Sequence, residues 1–522
     1  MSHAAAADAA RTGGATRFPA ILTVLAGGSV GGLHLLFLPM GTKWALVAVA
    51  MVLTACALVV TRDRRLLAAI GVAAAVPIGL QYGFFSHGGK YATWDHFGGA
   101  PAEPILYLVD LPLVLLVGLW VFDLALGRRR LPAWTRLDGA IAIFLLLSLA
   151  SLAVTREPVL AIAEMLRYAK YLALFWALRT VLDRSEYLSR MALVTYAVLL
   201  LEGVVAMAQY FLYLSLPVAV GGVTESAFEF MGGEVIQRVT GLLGHSNTFA
   251  AWLLVPLGAG ALLLLARIPV LAKVGLLPPL LLGGLALVLT FSRAGLLCAG
   301  ILGLLIAGLA LLTGRLKQSV PIVALMLVLV VALLVFGFGM DETTLRDWGV
   351  LDEGAQLGVF GTVWTRLVYD PGRAVESRYD LLLIAGEMVR RHPLTGIGLN
   401  SFEENMALYD RQGTVNIIHQ PVHNVFALVA AETGLPSLVA FVAIGAILSA
   451  MSWRLLRRGD ETGFVAGGTG LVAVIGLGCA NLFDLTLRKE PLLGTVTLVA
   501  AMVTALVSGG DGLGRRSKTP AR

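Results

Sequence analysis

Apolar runs long enough to cross a bilayer recur along nearly the whole chain, each closed by a short charged or Gly/Pro-rich break. About 20 apolar residues span a hydrocarbon core of about 30 Å as a helix. Lipid offers backbone polar groups no partner, so the helix is the natural spanning element for such runs. Charged residues make up 14% of the 522, against 58% hydrophobic, which is too little polar surface for a soluble protein of this size. The fold class expected is an all-α polytopic membrane protein with about 12–14 transmembrane helices and a large, partly helical extracytoplasmic loop.

The runs lie near residues 19–39, 43–61, 65–85, 103–126, 138–154, 160–182, 190–214, 248–268, 273–291, 295–314, 319–340, 436–456, 463–485 and 491–509. The linker at Lys43 is very short, which leaves 12 or 13 spans open as well as 14. The first run follows a polar, Ala-rich stretch with Arg11 and Arg17 and no clear small-residue cleavage site, and reads as a retained span. Cys56, Cys298 and Cys479 all lie inside apolar runs, a pattern of packing residues and not of a disulfide framework.

The net charge of +6 resembles a nucleic-acid signal only until its carriers are located. Arg62, Arg64 and Arg65, Arg128 to Arg130 with Arg136, Arg179, Arg184 and Arg190, Arg267 and Lys273, Arg315 and Lys317, Arg454, Arg457 and Arg458, and the tail Arg515, Arg516, Lys518 and Arg522 all sit in alternate short loops or at the tail. Basic loops face the cytoplasm, so both termini are placed there and no nucleic-acid partner is expected. Arg488 and Lys489 are the one exception, falling on the opposite side.

This orientation puts residues 86–101, 215–247 and about 341–420 outside. The last is too long to be an idle connector and holds 12 acidic and 7 basic residues. Glu376 to Arg391 reads as an amphipathic helix, with Leu381, Ile384, Ala385, Met388 and Val389 on one face and Pro393, Gly396 and Gly398 to end it. The chain divides into 1–214, N-terminal spans; 215–340, central spans with arginine motifs; 341–420, the large periplasmic loop; and 421–522, a His-bearing segment with the C-terminal spans.

Several polar residues in or beside these segments are candidates for chemistry. Arg293 ends a span at the outer surface, where a snorkelling arginine marking the interface is an equal reading. Arg238 precedes Thr240-Gly-Leu-Leu-Gly-His-Ser-Asn247, which reads equally as a polar turn. His423 follows Pro421 near the expected start of a helix stopped by Gly434 and Pro436. There the helix dipole favours a neutral imidazole or a bound anion. Glu432, nine residues on, falls about 180° around the helix and reads as a packing or loop-anchoring carboxylate. Glu164, Arg167 and Lys170 inside a span read as an internal pairing cluster, with contact to a lipid headgroup as the alternative. His87, Asp95 and His96 match no common metal spacing, and neither a phosphate loop nor a nucleophile elbow is present.

Three patterns together resemble the superfamily of O-antigen ligases and O-antigen polymerases: Arg238 with Thr240 to Asn247; Ser292-Arg293-Ala294-Gly295; and Ser377-Arg378 through His392-Pro393 and Gly398 to His423-Asn424 and Glu432-Thr-Gly434. The likeness covers residues 230–450; Ser246 stands where the resembling motif often has Pro. The resemblance implies a metal-independent, inverting membrane glycosyltransferase of lipopolysaccharide or exopolysaccharide biosynthesis, without a cofactor, at the periplasmic face of the bacterial inner membrane. The donor implied is a glycan on undecaprenyl diphosphate and the acceptor a lipid A-core or glycan hydroxyl, with membrane lipids around both. In that reading His423 is the catalytic base, and Arg238, Arg293 and Arg378 bind the donor diphosphate, since guanidinium binds phosphate bidentately and stays charged. Protein O-oligosaccharyltransferases share this look. A lipid-glycan flippase, from another class, would show repeated halves and polar sites near the midplane.

Overall fold

The computed structural model describes residues 63–79, 81–83, 105–182, 185–212, 228–231, 234–315, 317, 372–411, 413 and 420–516. The chain forms two units, Met1–Gly71 and Val72–Arg522. In the first, the described residues open helix α1 (Arg64–Ala75), where Asp63 accepts the Leu66 N–H at 3.1 Å.

Among its described residues the second unit is helical apart from two small hairpins. Strand β1 (Gln81–Gly83) pairs antiparallel with β2 (Ile105–Tyr107), and then come α2 (Asp110–Ala125), α3 (Arg136–Ala150), α4 (Pro158–Arg179) and α5 (Ser185–Phe211). Strands β3 (Phe228–Met231) and β4 (Glu234–Gln237) form the second hairpin, followed by α6 (Ser246–Leu265), α7 (Val270–Leu289) and α8 (Arg293–Leu312). After it come α9 (Gly372–Arg391), α10 (Phe402–Tyr409), α11 (Val425–Thr433), α12 (Leu435–Leu456), α13 (Glu461–Ala480) and α14 (Glu490–Arg516). Among the described residues, eight helices are long and apolar enough to cross a membrane. The chain is an all-α polytopic membrane protein.

The expected spans 19–39, 43–61 and 319–340 lie outside the described residues, as do Cys56, His87, Asp95 and His96. Two others are shorter than expected. The run 65–85 ends as a helix at Ala75, because Pro77 cannot continue it and residues 81–83 pair with 105–107. The run 103–126 becomes helical only from Asp110, since its first residues form that hairpin. Helix α11 starts at Val425, later than Pro421 suggests, because Asn424 is its N-cap and accepts the Ala427 N–H at 3.0 Å.

Cross-loop bonds sort the helix ends. At one end Arg315 pairs with Glu461 at 2.7 Å and the Arg267 N–H donates to the same carboxylate at 2.8 Å, joining the α6–α7 and α12–α13 connections to the end of α8. At the other, the α7–α8 turn, the start of α6, the start of α11 and the α13–α14 connection meet. The segment bearing α9 and α10 sits on that second end. Leu381, Ile384, Ala385 and Met388 of α9 are buried with Phe402 and Met406 of α10, Val422, Val425 and Leu428 at α11, and Leu485. Gly396 has φ +64, and a Cβ there would stand 2.3 Å from the Glu432 carbonyl oxygen, so this turn closes on the end of α11 only as glycine.

A buried ion network lies beneath. In α4, Arg167 Nε donates to Glu164 at 2.8 Å, and Lys170 bridges Asp110 at 2.9 Å and Glu490 at 3.2 Å. Arg488 is 2.9 Å from Glu432 and 3.9 Å from Glu164. The charged residues of α4 are therefore paired inside the protein. Arg488, which broke the loop-charge rule, is buried against two carboxylates and carries no weight in setting orientation. Removing it strips the buried Glu432 carboxylate of its cation and leaves Glu164 with Arg167 alone. Arg488→Ala should destabilise the fold by about 3–5 kcal/mol, read as a lower thermal midpoint in detergent; an unchanged midpoint contradicts the network's role.

Candidate active site

The α7–α8 turn carries the first arginine motif. Phe291 takes φ +48, a conformation unusual for an aromatic residue, and is buried. Ser292 then caps α8, its Oγ accepting the Gly295 N–H at 3.3 Å. A Cβ at Gly295 would meet Ala250 Cβ at 2.8 Å, so the missing side chain lets α8 close on α6 and brings the turn to the start of that helix. Arg293, half-buried, is the first residue of α8.

Arg238 approaches from the segment after β4. Its Nε donates to the Thr290 carbonyl at 2.8 Å, in the same turn, and its Nη2 donates to Asn247 Oδ1 at 2.8 Å. Asn247 is held by its backbone: His245 is the N-cap of α6, and its Nδ1 accepts the Asn247 and Thr248 N–H groups at 3.1 and 3.2 Å. That leaves the proton of a neutral His245 on Nε2.

The line continues to the imidazole. Asn247 Nδ2 donates to Asp484 Oδ2 at 3.0 Å, and Asp484 Oδ1 lies 3.5 Å from His423 Nδ1. The other ring nitrogen of His423, Nε2, faces Gln420 Oε1 at 3.0 Å. Arg238, Asn247, Asp484 and His423 thus form one chain of side chains in which an amide separates a cation from an anion. Burial pushes the Asp484 carboxyl up, but the hydrogen bond from His423, the pull of the two histidines facing it and the Leu485 N–H outweigh it. The net effect holds Asp484 well below the usual carboxylate range and therefore ionised.

His423 is fixed from behind. Asn424 Nδ2 donates to the Leu482 carbonyl at 3.1 Å and the Val425 N–H to the Asn481 carbonyl at 3.0 Å, so the start of α11 is pinned to the α13–α14 connection that bears Asp484. Arg378 is half-buried on α9, three residues before Leu381 and hence on the same stripe. It is not one of the side chains linked in the line from Arg238 to His423. Glu432 lies at the far end of α11, where its Oε1 accepts the Phe402 N–H at 3.2 Å, so it anchors the loop and does not orient His423.

Asp484 escapes sequence reasoning, and Asn247 appears there as the end of the Thr240–Asn247 motif with no role of its own. Asp484 sits at the end of a run expected to span over 463–485, 61 residues from its partner; its signal is an ionisable residue at the end of an apolar run. Glu403 of α10 is also new: burial pushes its carboxyl up to about 8 against the pull of Arg488, and its Oε1 is buried with no hydrogen-bond partner among the described residues. A raised acid favours its protonated, folded form, so this contribution to stability is full below the unfolded value and is lost as pH rises through the folded one. Thermal midpoints should fall between about pH 5 and about pH 9, and Glu403→Gln should flatten that fall. An equally steep fall in the variant contradicts the assignment.

Among the described residues, no group of three or more His, Cys, Asp or Glu side chains is placed to hold a metal ion. The fold and this end-on polar site define a polytopic membrane protein with a basic, imidazole-bearing site at one end of its helices. Residues 278–442, under half of the chain, match the family model described as O-antigen ligase. That stretch holds Arg293, Arg378 and His423, while Arg238 and Asp484 fall on either side. The match supports an O-antigen ligase-like family and, in general terms, glycan ligase or polymerase activity of that type. No curated protein matches the chain.

Proposed function

We propose that this protein transfers a glycan from undecaprenyl diphosphate to a sugar hydroxyl at the periplasmic face of the bacterial inner membrane, as an O-antigen ligase or a related polysaccharide polymerase. The observation that carries this reading is the line from Arg238 through Asn247 and Asp484 to His423, 2.8, 3.0 and 3.5 Å per step, at one end of the helices. The basic loops Arg267, Arg315 and Arg454 to Arg458 belong to the opposite end, which supports a periplasmic site and cytoplasmic termini.

The chemistry follows from the parts. Asp484 accepts the Nδ1 proton of His423, and once the acceptor hydroxyl displaces the Gln420 amide, the Nε2 lone pair is left to take a proton. Gln420 marks where the acceptor hydroxyl would stand. That hydroxyl oxygen attacks the anomeric carbon of the donor sugar, its proton passes to Nε2, and the bond from carbon to diphosphate oxygen breaks with its electron pair on the diphosphate. Arg238 and Arg293 are the groups for the added negative charge, and Arg378, on the loop above, closes over the donor. Attack from the face opposite the diphosphate inverts the anomeric configuration.

The test is transfer by purified protein from a lipid-diphosphate glycan to a lipid A-core or glycan acceptor. A product in the inverted configuration, with undecaprenyl diphosphate released, supports the reading; lipid-linked glycan moved across vesicles with no new glycosidic bond overturns it.

A further inference from the structure

Glu202 lies inside spanning helix α5 and is fully buried. Its Oε2 accepts the Leu242 N–H at 2.8 Å, while its Oε1 is buried with no hydrogen-bond partner among the described residues. Gln209, seven residues on and so on the same face, is buried as well. Gln209 Oε1 accepts the Thr240 and Gly241 N–H groups at 3.0 and 2.9 Å, and its Nε2 donates to the Gly241 carbonyl at 3.0 Å. Three consecutive amides of one turn therefore end on two side chains of one helix. The fit is close: Gly241 has φ +56, and a Cβ there would stand 2.3 Å from Glu202 Oε2. On the turn's other side the Leu242 carbonyl accepts the Gly79 N–H at 2.8 Å. Arg238 stands two residues before this turn, and His245 and Asn247 follow it closely.

A carboxyl within a span is costly and is expected to face protein for a purpose. Hydrophobic packing alone would be served by leucine. We infer that Glu202, with Gln209, is a positioning residue for glycan transfer, holding the Thr240–Leu242 turn so that Arg238 and Asn247 keep their places in the line to His423. The inference rests on the transfer reading above, and it extends the functional unit from the outer surface into the membrane-spanning part of α5.

The experiment compares Glu202→Gln, Glu202→Leu and Gln209→Leu in the purified full-length protein, reading transfer rate, KM for the lipid-diphosphate donor and hydrogen exchange of residues 238–248. Gln keeps an acceptor for Leu242 and should stay within about 3-fold of wild type. Leu removes it and should lower kcat by about 10- to 100-fold, with faster exchange in the turn. Combined with Arg238→Ala, Glu202→Leu should add less than about 3-fold, because both act through one group. If Glu202→Leu does not fold, Gln209→Leu carries the same expectations. Transfer at the wild-type rate by Glu202→Leu, losses that multiply with those of Arg238→Ala, or unchanged exchange in the turn overturns the inference. A wild-type protein without transfer activity instead removes the functional reading, and the exchange measurement still decides whether the clamp exists.

Discussion

His423→Ala should lower kcat for transfer by about 10²- to 10⁴-fold while leaving expression and thermal midpoint near those of the wild type. The size follows from the role: without a base the acceptor hydroxyl must lose its proton unaided. The mild effect on folding follows from the surroundings. His423 precedes the N-cap of α11 and does not supply it; Asn424 makes the cap, and Asn424 and Val425 make the two ties to the α13–α14 connection. The imidazole touches Asp484 and Gln420 and leaves about a quarter of its side chain exposed. Activity assays beside melting curves check this. A variant with wild-type turnover removes His423 from the mechanism, and a variant that melts far lower makes it a structural residue.

Arg238→Ala should lower kcat by about 10²- to 10³-fold, the range for removing one preorganised group that meets developing charge. Arg238→Lys should recover only part of it. The guanidinium serves Thr290 with Nε and Asn247 with Nη2, two directions fixed by its planar fork, and a single ammonium cannot reproduce both. Losing the Asn247 contact also frees the amide that separates Arg238 from Asp484, so the alanine variant should affect acceptor use as well as donor use. Kinetics varying donor and acceptor separately read this. Full activity in Arg238→Lys would reduce the residue to a point charge.

The sequence made the spanning helices legible because hydropathy is a local property, summed over a window and indifferent to what lies elsewhere. The amphipathic face of α9 was legible for the same reason: its helical period brings Leu381, Ile384, Ala385 and Met388 together whatever they pack against. The errors came where distant residues decide. The runs 65–85 and 103–126 lose helix to a pairing between residues 81–83 and 105–107, which no window sees. Arg488 looked like a topological fault and is a buried counter-ion for Glu432, 56 positions away. Asp484 and Glu202 lay hidden inside apolar runs, where a single carboxylate barely lowers the mean hydropathy. The candidate arginines and His423 stood out because their motifs are short and contiguous, whereas the line joining Arg238 to His423 exists only once α6, α11 and the α13–α14 connection meet.

The most direct measurement is single-turnover transfer from a lipid-diphosphate glycan by the purified protein and by Asp484→Asn, quantifying the new glycosidic product and the released undecaprenyl diphosphate together. Equal amounts of both from the wild type are expected, with product formation slowed at least about 10-fold in the variant, since the neutral amide no longer orients and stabilises a proton-accepting imidazole. Product formed equally fast by Asp484→Asn would contradict a reaction driven through the line from Arg238 to His423.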